Sequence, residues 1–194
     1  MAREQKVHII PGFTEGNGHT KKLVRALTAN GFVLADNAAD ANIIITHSGG
    51  CFLLPDALAG KTVLIANPPW DYRGSIFKNT LCKITLDIRE HRQLRAMKQL
   101  ARKSVWSGLY FVSCMPRHVQ MYRQMPRFAA LLKQSGARHI IVVAAKGDPW
   151  TRHISIRTIE QNPWCTFLSV ATMHDDLWMH PARYVAIIQS IYEP

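Results

Sequence analysis

Short apolar runs that contain almost no polar residue constrain the fold of this chain more than any other feature. Four of these runs read VHII, IIIT, TVLIA and HIIVVAA. A strand with one face in water alternates apolar and polar residues, whereas a strand buried on both faces of a parallel sheet is apolar throughout. Helical patterns separate the runs along the chain. The sequence therefore predicts an α/β fold, with a mostly parallel sheet flanked by helices.

Strands and helices are predicted to alternate from the first run to the last. The predicted strands are Val7–Ile10, Phe32–Leu34, Ile43–Thr46, Thr62–Ala66 and one each within RHIIVVAAKGDPW and CTFLSVATMHDD. The predicted helices are one that Thr20 caps and Gly31 ends, a short one over Cys51–Leu58, and a closing one over Pro181–Ile191.

The length and hydropathy of the chain favour a single domain. The 194 residues are 47% hydrophobic, enough to cover both faces of one sheet. We expect residues 1–194 to form one domain, and the sequence leaves its oligomeric state open. Near the N-terminus the apolar run before Pro11 is too short for a signal peptide, and no stretch of about 18 apolar residues could form a transmembrane segment. We therefore expect a cytoplasmic protein.

The cysteines give no indication of a metal site. Cys51, Cys82, Cys114 and Cys165 are scattered, with no C-x-x-C pair and no His/Cys cluster at zinc-ligand spacing. We expect free thiols rather than disulfides, and no bound metal.

Positive charge is concentrated in the middle of the chain. The net charge is +11, and residues 73–138 contain 14 Lys and Arg against two acidic residues. Within this segment, Ile88–Val105 is predicted to form an amphipathic basic helix, and a second helix is predicted over Pro116–Ser135 with a break near Pro126. Such charge suits a solvated surface, nucleic acid, an anionic membrane or acidic substrates, and by itself it does not choose among them.

A possible nucleophile follows the third predicted strand. The sequence THSGG, residues 46–50, lies where this strand gives way to a helix. It resembles the G-x-S-x-G nucleophile elbow of the α/β-hydrolase superfamily, in which a strained turn exposes the serine hydroxyl above the sheet. Gly50 fits the motif, whereas Thr46 replaces its first glycine. Alternatively, Ser48 is only a helix cap.

Two further residues fall in the chain order Ser, Asp, His that this superfamily uses. Asp148 comes just after one buried strand, and His174 just after the next. The resemblance implies a triad in which Ser48 attacks, His174 accepts its proton and Asp148 orients the imidazole. Asp148 could instead only begin a turn before a proline.

Other residues compete for these roles. His180 is the rival base, but it precedes a proline and is expected to start the last helix. Asp175 and Asp176 are the rival acids, although sequence neighbours of a base rarely point toward it. The remaining candidates are expected to be surface or rim histidines, namely His19, His47 and His153, and tryptophans of the core or pocket wall, namely Trp70, Trp150 and Trp178.

The resemblance also extends to the first strand. The sequence VHIIPGF resembles the oxyanion loop of the superfamily, with Pro11 in place of its histidine. By this resemblance the oxyanion hole consists of the backbone N–H groups of Phe13 and Gly49. The chain would be a reduced α/β-hydrolase fold, with residues of about 70–135 forming a helical cap insertion.

These features predict a serine hydrolase that cleaves an ester or thioester through an acyl-serine, without cofactor or metal. Its partner would be a small-molecule substrate, an anionic one if the basic segment lines the entrance. The alternative is a catalytically inactive hydrolase-like scaffold that uses its basic segment to bind nucleic acid or an anionic surface. Nucleic acid is the less favoured partner because no recognition motif is present. A nucleotide-binding protein is disfavoured because GFTEGNG fits neither G-x-G-x-x-G nor a P-loop.

Overall fold

The computed structural model describes residues 4–12, 15, 17–69, 127–148, 151, 161–172 and 174–192. These residues form a six-stranded sheet in which every neighbouring pair of strands is parallel, in the order β2-β1-β3-β4-β5-β6. The strands are β1 (Lys6–Ile10), β2 (Val33–Leu34), β3 (Ile43–His47), β4 (Thr62–Ala66), β5 (His139–Ala145) and β6 (Thr166–Val170). The parallel sheet predicted from the apolar runs is confirmed.

Helices connect and cover these strands. They are α1 (Asn17–Ala29), a 3-10 helix (Ser48–Leu53), α2 over residues 127–134, α3 (Asp176–Met179) and α4 (Pro181–Tyr192). No helix among the described residues is long and apolar enough to cross a membrane.

Successive residues of the central strands pack into two separate hydrophobic cores. Ile43 and Ile45 of β3 face the core covered by α1, α3 and α4, whereas Ile44 between them faces the core that contains Phe128 and Leu132 of α2. All three isoleucines are fully buried. A strand between two cores needs apolar residues at every position, which explains the uninterrupted runs in the sequence.

The strand order has its switch point between β1 and β3. The chain passes from β1 to β2 on one side, then returns past β1 to form β3 and continues in the other direction. In open parallel sheets, ligands bind outside the carboxyl ends of the strands at such a switch point. The loops that follow Ile10 and His47 meet there.

Several predicted boundaries differ from those of the structure. Helix α1 begins at Asn17 rather than at a cap on Thr20. The helix predicted over Cys51–Leu58 is instead the 3-10 helix, which begins at Ser48 and ends at Leu53. Leu54 is extended, with φ −58° and ψ 138°, as a residue before proline prefers to be. Helix α3 was not predicted because a single turn gives no readable periodicity.

Part of the predicted cap region lies outside the described residues. The Ile88–Val105 helix falls there, while α2 matches the end of the predicted Pro116–Ser135 helix. The cysteines Cys82 and Cys114 also fall outside, whereas Cys51 and Cys165 are described and are both free thiols.

Candidate functional site

Polar side chains follow the carboxyl ends of five neighbouring strands at one edge of the sheet. They come from the loop after β1, the end of β3 and the segments after β4, β5 and β6. The residues are Glu15, His47, Ser48, Asn67, Asp148 and His174. Parallel strands end at the same edge, so residues distant in sequence meet there.

Ser48 occupies a sharp turn between β3 and the 3-10 helix. Its φ is 50°, whereas the preceding His47 is still extended at φ −124° and ψ 138°. A positive φ costs a residue with a side chain about 1 kcal/mol or more and is concentrated at functional sites. Ser48 is also partly exposed, although His47, Gly49 and Gly50 around it are buried. A strand, a sharp turn at Ser48 and a helix thus follow one another directly at this point.

Gly50 allows this turn to lie directly against the loop after β1. A Cβ atom at residue 50 would be 2.5 Å from the carbonyl oxygen of Pro11 and 2.7 Å from that of Ile10. Both distances are too short for any side chain. Thr46, which replaces the other small residue of the motif, is buried, and its hydroxyl has no hydrogen-bond partner in the part of the chain described.

His174 and Asp148 form a buried pair. Nδ1 of His174 lies 2.7 Å from Oδ2 of Asp148, and both side chains are almost completely inaccessible to water. The Thr151 hydroxyl lies 3.1 Å from the same Oδ2 and 3.0 Å from the Ala145 carbonyl oxygen. A carboxylate at Nδ1 holds the proton on that nitrogen and leaves Nε2 as the proton acceptor.

Two side chains hold the carbonyl oxygen of His174. Nε2 of His47 lies 2.8 Å from this oxygen, and Nδ2 of Asn67 donates to it at 2.5 Å. Asn67 is itself fixed in the left-handed region at φ 51°. Its backbone N–H donates to Val143 at 2.7 Å, and its Oδ1 accepts the Ala145 N–H at 2.8 Å. The backbone of His174 is thereby connected to β3, β4 and β5.

The prediction that His47 is a surface or rim residue is wrong. Its side chain is completely buried, and its Nδ1 lies 2.6 Å from Oε1 of Glu15. Glu15 also accepts hydrogen bonds from the Gly12 backbone N–H at 2.6 Å and from Nε1 of Trp178 at 2.9 Å. The apolar periodicity of a strand gives no indication of such a pair, because the carboxylate comes from a different loop.

Burial and pairing act in opposite directions on the pKa values of this pair. Burial raises the pKa of Glu15, but His47, Trp178 and the Gly12 N–H together lower it from 4.5 to about 2. Burial likewise lowers the pKa of His47, but hydrogen bonding and charge from Glu15 outweigh it, and the net pKa is raised above 6.5. Both groups therefore favour their charged forms.

The rival residues differ from Asp148 and His174 in their exposure or in their partners. His180 directly precedes α4 with a half-exposed side chain. Asp176 is buried but bonds to Arg183 at 2.6 Å and Tyr184 at 3.0 Å, and Asp175 is exposed. His19 is exposed on α1, as expected. The positions of Phe13, Trp70, Trp150 and His153 lie outside the described residues.

A metal does not fit the group of possible ligands that the described part of the chain brings together. Nitrogen or oxygen atoms of His47, His174 and Asp175 come within 4.8 Å of one another. Both ring nitrogens of His47 already face acceptors, however, and Nδ1 of His174 pairs with Asp148. The group therefore does not offer three unoccupied ligand atoms.

Comparison with known proteins identifies the fold. No family model and no curated protein matches the chain. Among solved structures, it is similar to the structure from a study of carboxylesterases of Nitrososphaera gargenis, with 12% identity, a TM-score of 0.63 and coverage of 99% of this chain and 91% of that one. It is also similar to the thioesterase domain from the curacin biosynthetic pathway, with 11% identity, a TM-score of 0.57 and coverage of 96% of this chain and 92% of that one.

A third similar structure has a different activity. It is 1H-3-hydroxy-4-oxoquinoline 2,4-dioxygenase, at 10% identity and a TM-score of 0.65, with coverage of 100% of this chain and 94% of that one. The agreement over nearly the whole length shows that this chain has the α/β-hydrolase fold. Its six described strands fit a reduced form of that fold.

Proposed function

We propose that this protein of α/β-hydrolase fold is a serine hydrolase that cleaves carboxylic esters or thioesters. Ser48 would be the nucleophile, His174 the general base and Asp148 the residue that orients the imidazole. The observation that carries the proposal is the buried 2.7 Å contact between His174 and Asp148, because it leaves Nε2 of His174 as the proton acceptor. The His174 carbonyl accepts from the ring of His47, the residue just before Ser48.

The reaction follows from these groups. The Ser48 hydroxyl attacks the acyl carbon while its proton passes to Nε2 of His174, which gives a tetrahedral oxyanion. The carbon bond to the leaving alcohol or thiol breaks, and that group takes the proton from His174. A water then attacks the acyl-serine with His174 as base, and collapse of the second tetrahedral intermediate releases the carboxylic acid and restores Ser48.

Stabilisation of the oxyanion would come from backbone N–H groups beside the nucleophile. Gly49 directly follows Ser48 at the start of the 3-10 helix, so its N–H is one proposed donor. The loop that would carry the second donor, Phe13, is held at Gly12 by the hydrogen bond to Glu15. Loss of one such donor typically costs about 10² to 10³ in rate.

Ester or thioester hydrolysis is the reaction class that the side chains favour. The fold alone does not decide, since it supports both a thioesterase domain and a dioxygenase among the similar structures. Serine, histidine and aspartate suffice for acyl transfer without a cofactor. Residues 73–138, with their 14 basic side chains, would favour anionic acyl groups if they line the entrance.

Covalent labelling tests this proposal. The protein is treated with a fluorophosphonate and the adduct located by mass spectrometry, and turnover of a short p-nitrophenyl ester is measured in parallel. We expect the adduct on Ser48, and Ser48→Ala should lose both adduct and turnover. The matched control is Ser190→Ala, which changes an exposed serine on α4.

Each outcome decides between the two predicted functions. Turnover that persists in Ser48→Ala would exclude this triad. A folded parent protein that neither reacts with the probe nor turns over esters and thioesters would favour the inactive binding scaffold.

A further inference from the structure

We propose that Glu15 and His47 form a buried charged pair that positions the base His174 and connects it to the oxyanion loop. The inference rests on the proposed function, because it assigns His174 as base. Glu15 and His47 are positioning residues and not catalytic ones. His47 is completely buried, so we place it out of contact with substrate and expect it to act on the reaction through its contacts with His174.

Three contacts in series carry this connection. The Gly12 N–H donates to Oε2 of Glu15 at 2.6 Å, and Oε1 of Glu15 lies 2.6 Å from Nδ1 of His47. On the other side of the ring, Nε2 of His47 lies 2.8 Å from the carbonyl oxygen of His174. The series joins the loop after β1, the last residue of β3 and the segment after β6.

The identity of the acceptors sets the charge of His47. A carboxylate oxygen and a carbonyl oxygen only accept hydrogen bonds, and the first faces Nδ1 of His47 while the second faces Nε2. Among the described residues Nδ1 makes an ion pair with Glu15 and not an aligned hydrogen bond, whereas Nε2 makes the hydrogen bond to His174. A neutral ring that donates from Nε2 would leave an unprotonated Nδ1 2.6 Å from a carboxylate oxygen, and two acceptors repel each other at that distance, whereas the imidazolium carries a proton on both nitrogens. Both contacts are therefore favourable only when His47 is protonated and Glu15 is ionised.

The surroundings of the pair support this charge state. Trp178 donates to Glu15 at 2.9 Å, and its ring packs edge-on against His47 with a centroid separation of 5.2 Å. The His174 ring lies 4.8 Å from the His47 ring, and the charge of Asp175 also acts on His47. Of these groups, Glu15 makes the closest contact with His47 and balances its charge.

Loss of the Glu15 carboxylate should make the position of the His174 imidazole less precise, while His174 itself remains in place as the base. In Glu15→Gln the charge of His47 is no longer balanced, so the buried imidazole is expected to become neutral. The amide has one oxygen where the carboxylate has two, so its NH2 group must face either the Gly12 N–H or the Trp178 N–H, and the contacts that fix this side chain beside His47 cannot all be kept. Because small misplacements of a catalytic group cost up to about 10² in rate, kcat should fall about 10- to 100-fold. KM should change less than about threefold, since no group that contacts substrate has changed.

The first experiment measures kcat and KM of the parent, Glu15→Gln and the matched control Glu4→Gln, whose side chain is exposed. It also measures fluorophosphonate labelling. We expect slower labelling that still occurs at Ser48 in Glu15→Gln, and no change in the control. A folded Glu15→Gln protein with the kcat of the parent would overturn the inference. Failure of Ser48→Ala to abolish turnover would instead overturn the proposed function, so the two failures are distinguishable.

A second measurement holds even if Glu15→Gln does not fold. Nitrogen-15 NMR of the histidine rings in the parent protein reports whether each ring nitrogen carries a proton. At pH 7 we expect the signals of His47 to be those of an imidazolium with both nitrogens protonated. A neutral His47 at this pH would overturn the inference.

Discussion

Nε1 of Trp178 donates a hydrogen bond to Oε1 of Glu15 across 2.9 Å, although 163 positions separate the two residues. This hydrogen bond connects the short helix α3, which begins two residues after His174, to the loop after β1. The sequence left open whether Trp178 belongs to the core or to a pocket wall. Only 4% of this residue is exposed, and it packs in the core on the α1 side of the sheet.

Trp178→Phe should lower the free energy of unfolding by about 1.5 to 3 kcal/mol, the typical contribution of a hydrogen bond to a charged group. Phenylalanine keeps an aromatic ring against His47 but cannot donate to Glu15. Because the bond to Trp178 helps to lower the pKa of Glu15, the loss should be larger at pH 5 than at pH 2.5. Urea unfolding at both pH values measures this difference, and an equal loss at both would contradict it.

Gly50→Ala should lower the free energy of unfolding by about 1 to 3 kcal/mol or more, since overpacking usually costs an amount in this range. The new methyl group would collide with the Pro11 and Ile10 carbonyl oxygens, which are backbone atoms and cannot rotate away. The melting temperature and the rate of ester turnover should both fall, since the turn at Ser48 and the loop after β1 must move apart. Gly18→Ala is the control, because a Cβ there meets no atom within 4 Å. Equal stability of the two variants would refute the close approach.

The Glu15–His47 pair should contribute most to stability between about pH 4.5 and 6.5. Glu15 has a lowered pKa, so its contribution is complete above 4.5 and is lost as the pH falls toward about 2. The pKa of His47 is raised, so its contribution is complete below 6.5 and is lost as the pH rises through the folded value.

The measurement compares the melting temperature of the parent with that of the double variant Glu15→Gln, His47→Gln from pH 2 to 9. The double variant avoids leaving one buried charge without its partner, which would add a separate penalty of about 3 to 5 kcal/mol. We expect the difference in melting temperature to be greatest inside this window. A difference that does not change with pH would show that neither residue is charged in the folded protein.

Much of the fold could be predicted because both faces of the sheet are covered. The run IIIT at residues 43–46 is apolar at its first three positions since Ile43 and Ile45 face one core and Ile44 the other. The bounds of the 3-10 helix could not be predicted, because six residues give no readable periodicity, and the strained conformation of Ser48 was implied only by the resemblance to the nucleophile elbow. That conformation depends on how closely Gly50 approaches the loop after β1.

The parts of the candidate site that the sequence missed are those formed by contacts between loops. Glu15 and Asn67 are not among the predicted site residues, although each follows a strand of the parallel sheet as Asp148 and His174 do. Position after a parallel strand was therefore a usable signal for both residues. Their partners were not predictable: Asn67 contacts the backbone of His174, 107 residues away, and periodicity carries no information about such pairs.

The choice between His174 and His180 as base gives the last prediction. His174→Ala should lower kcat about 10⁴-fold or more, because Ser48 would lose the group that accepts its proton. Asp148→Asn should cost a similar factor, since an asparagine that donates to Nδ1 would favour the wrong tautomer of His174.

His180→Ala should leave kcat within about twofold and reduce stability by about 1 kcal/mol or less, because its side chain is 57% exposed and lies 3.9 Å from the nearest Asp176 oxygen. Steady-state kinetics at saturating ester, with circular dichroism to verify folding, measures all three variants. His180 stands at the start of α4, and Asp176 is already bonded to Arg183 and Tyr184. If His180→Ala proved the more damaging change, the base would have to act from a segment other than the one fixed by Asp148, His47 and Asn67.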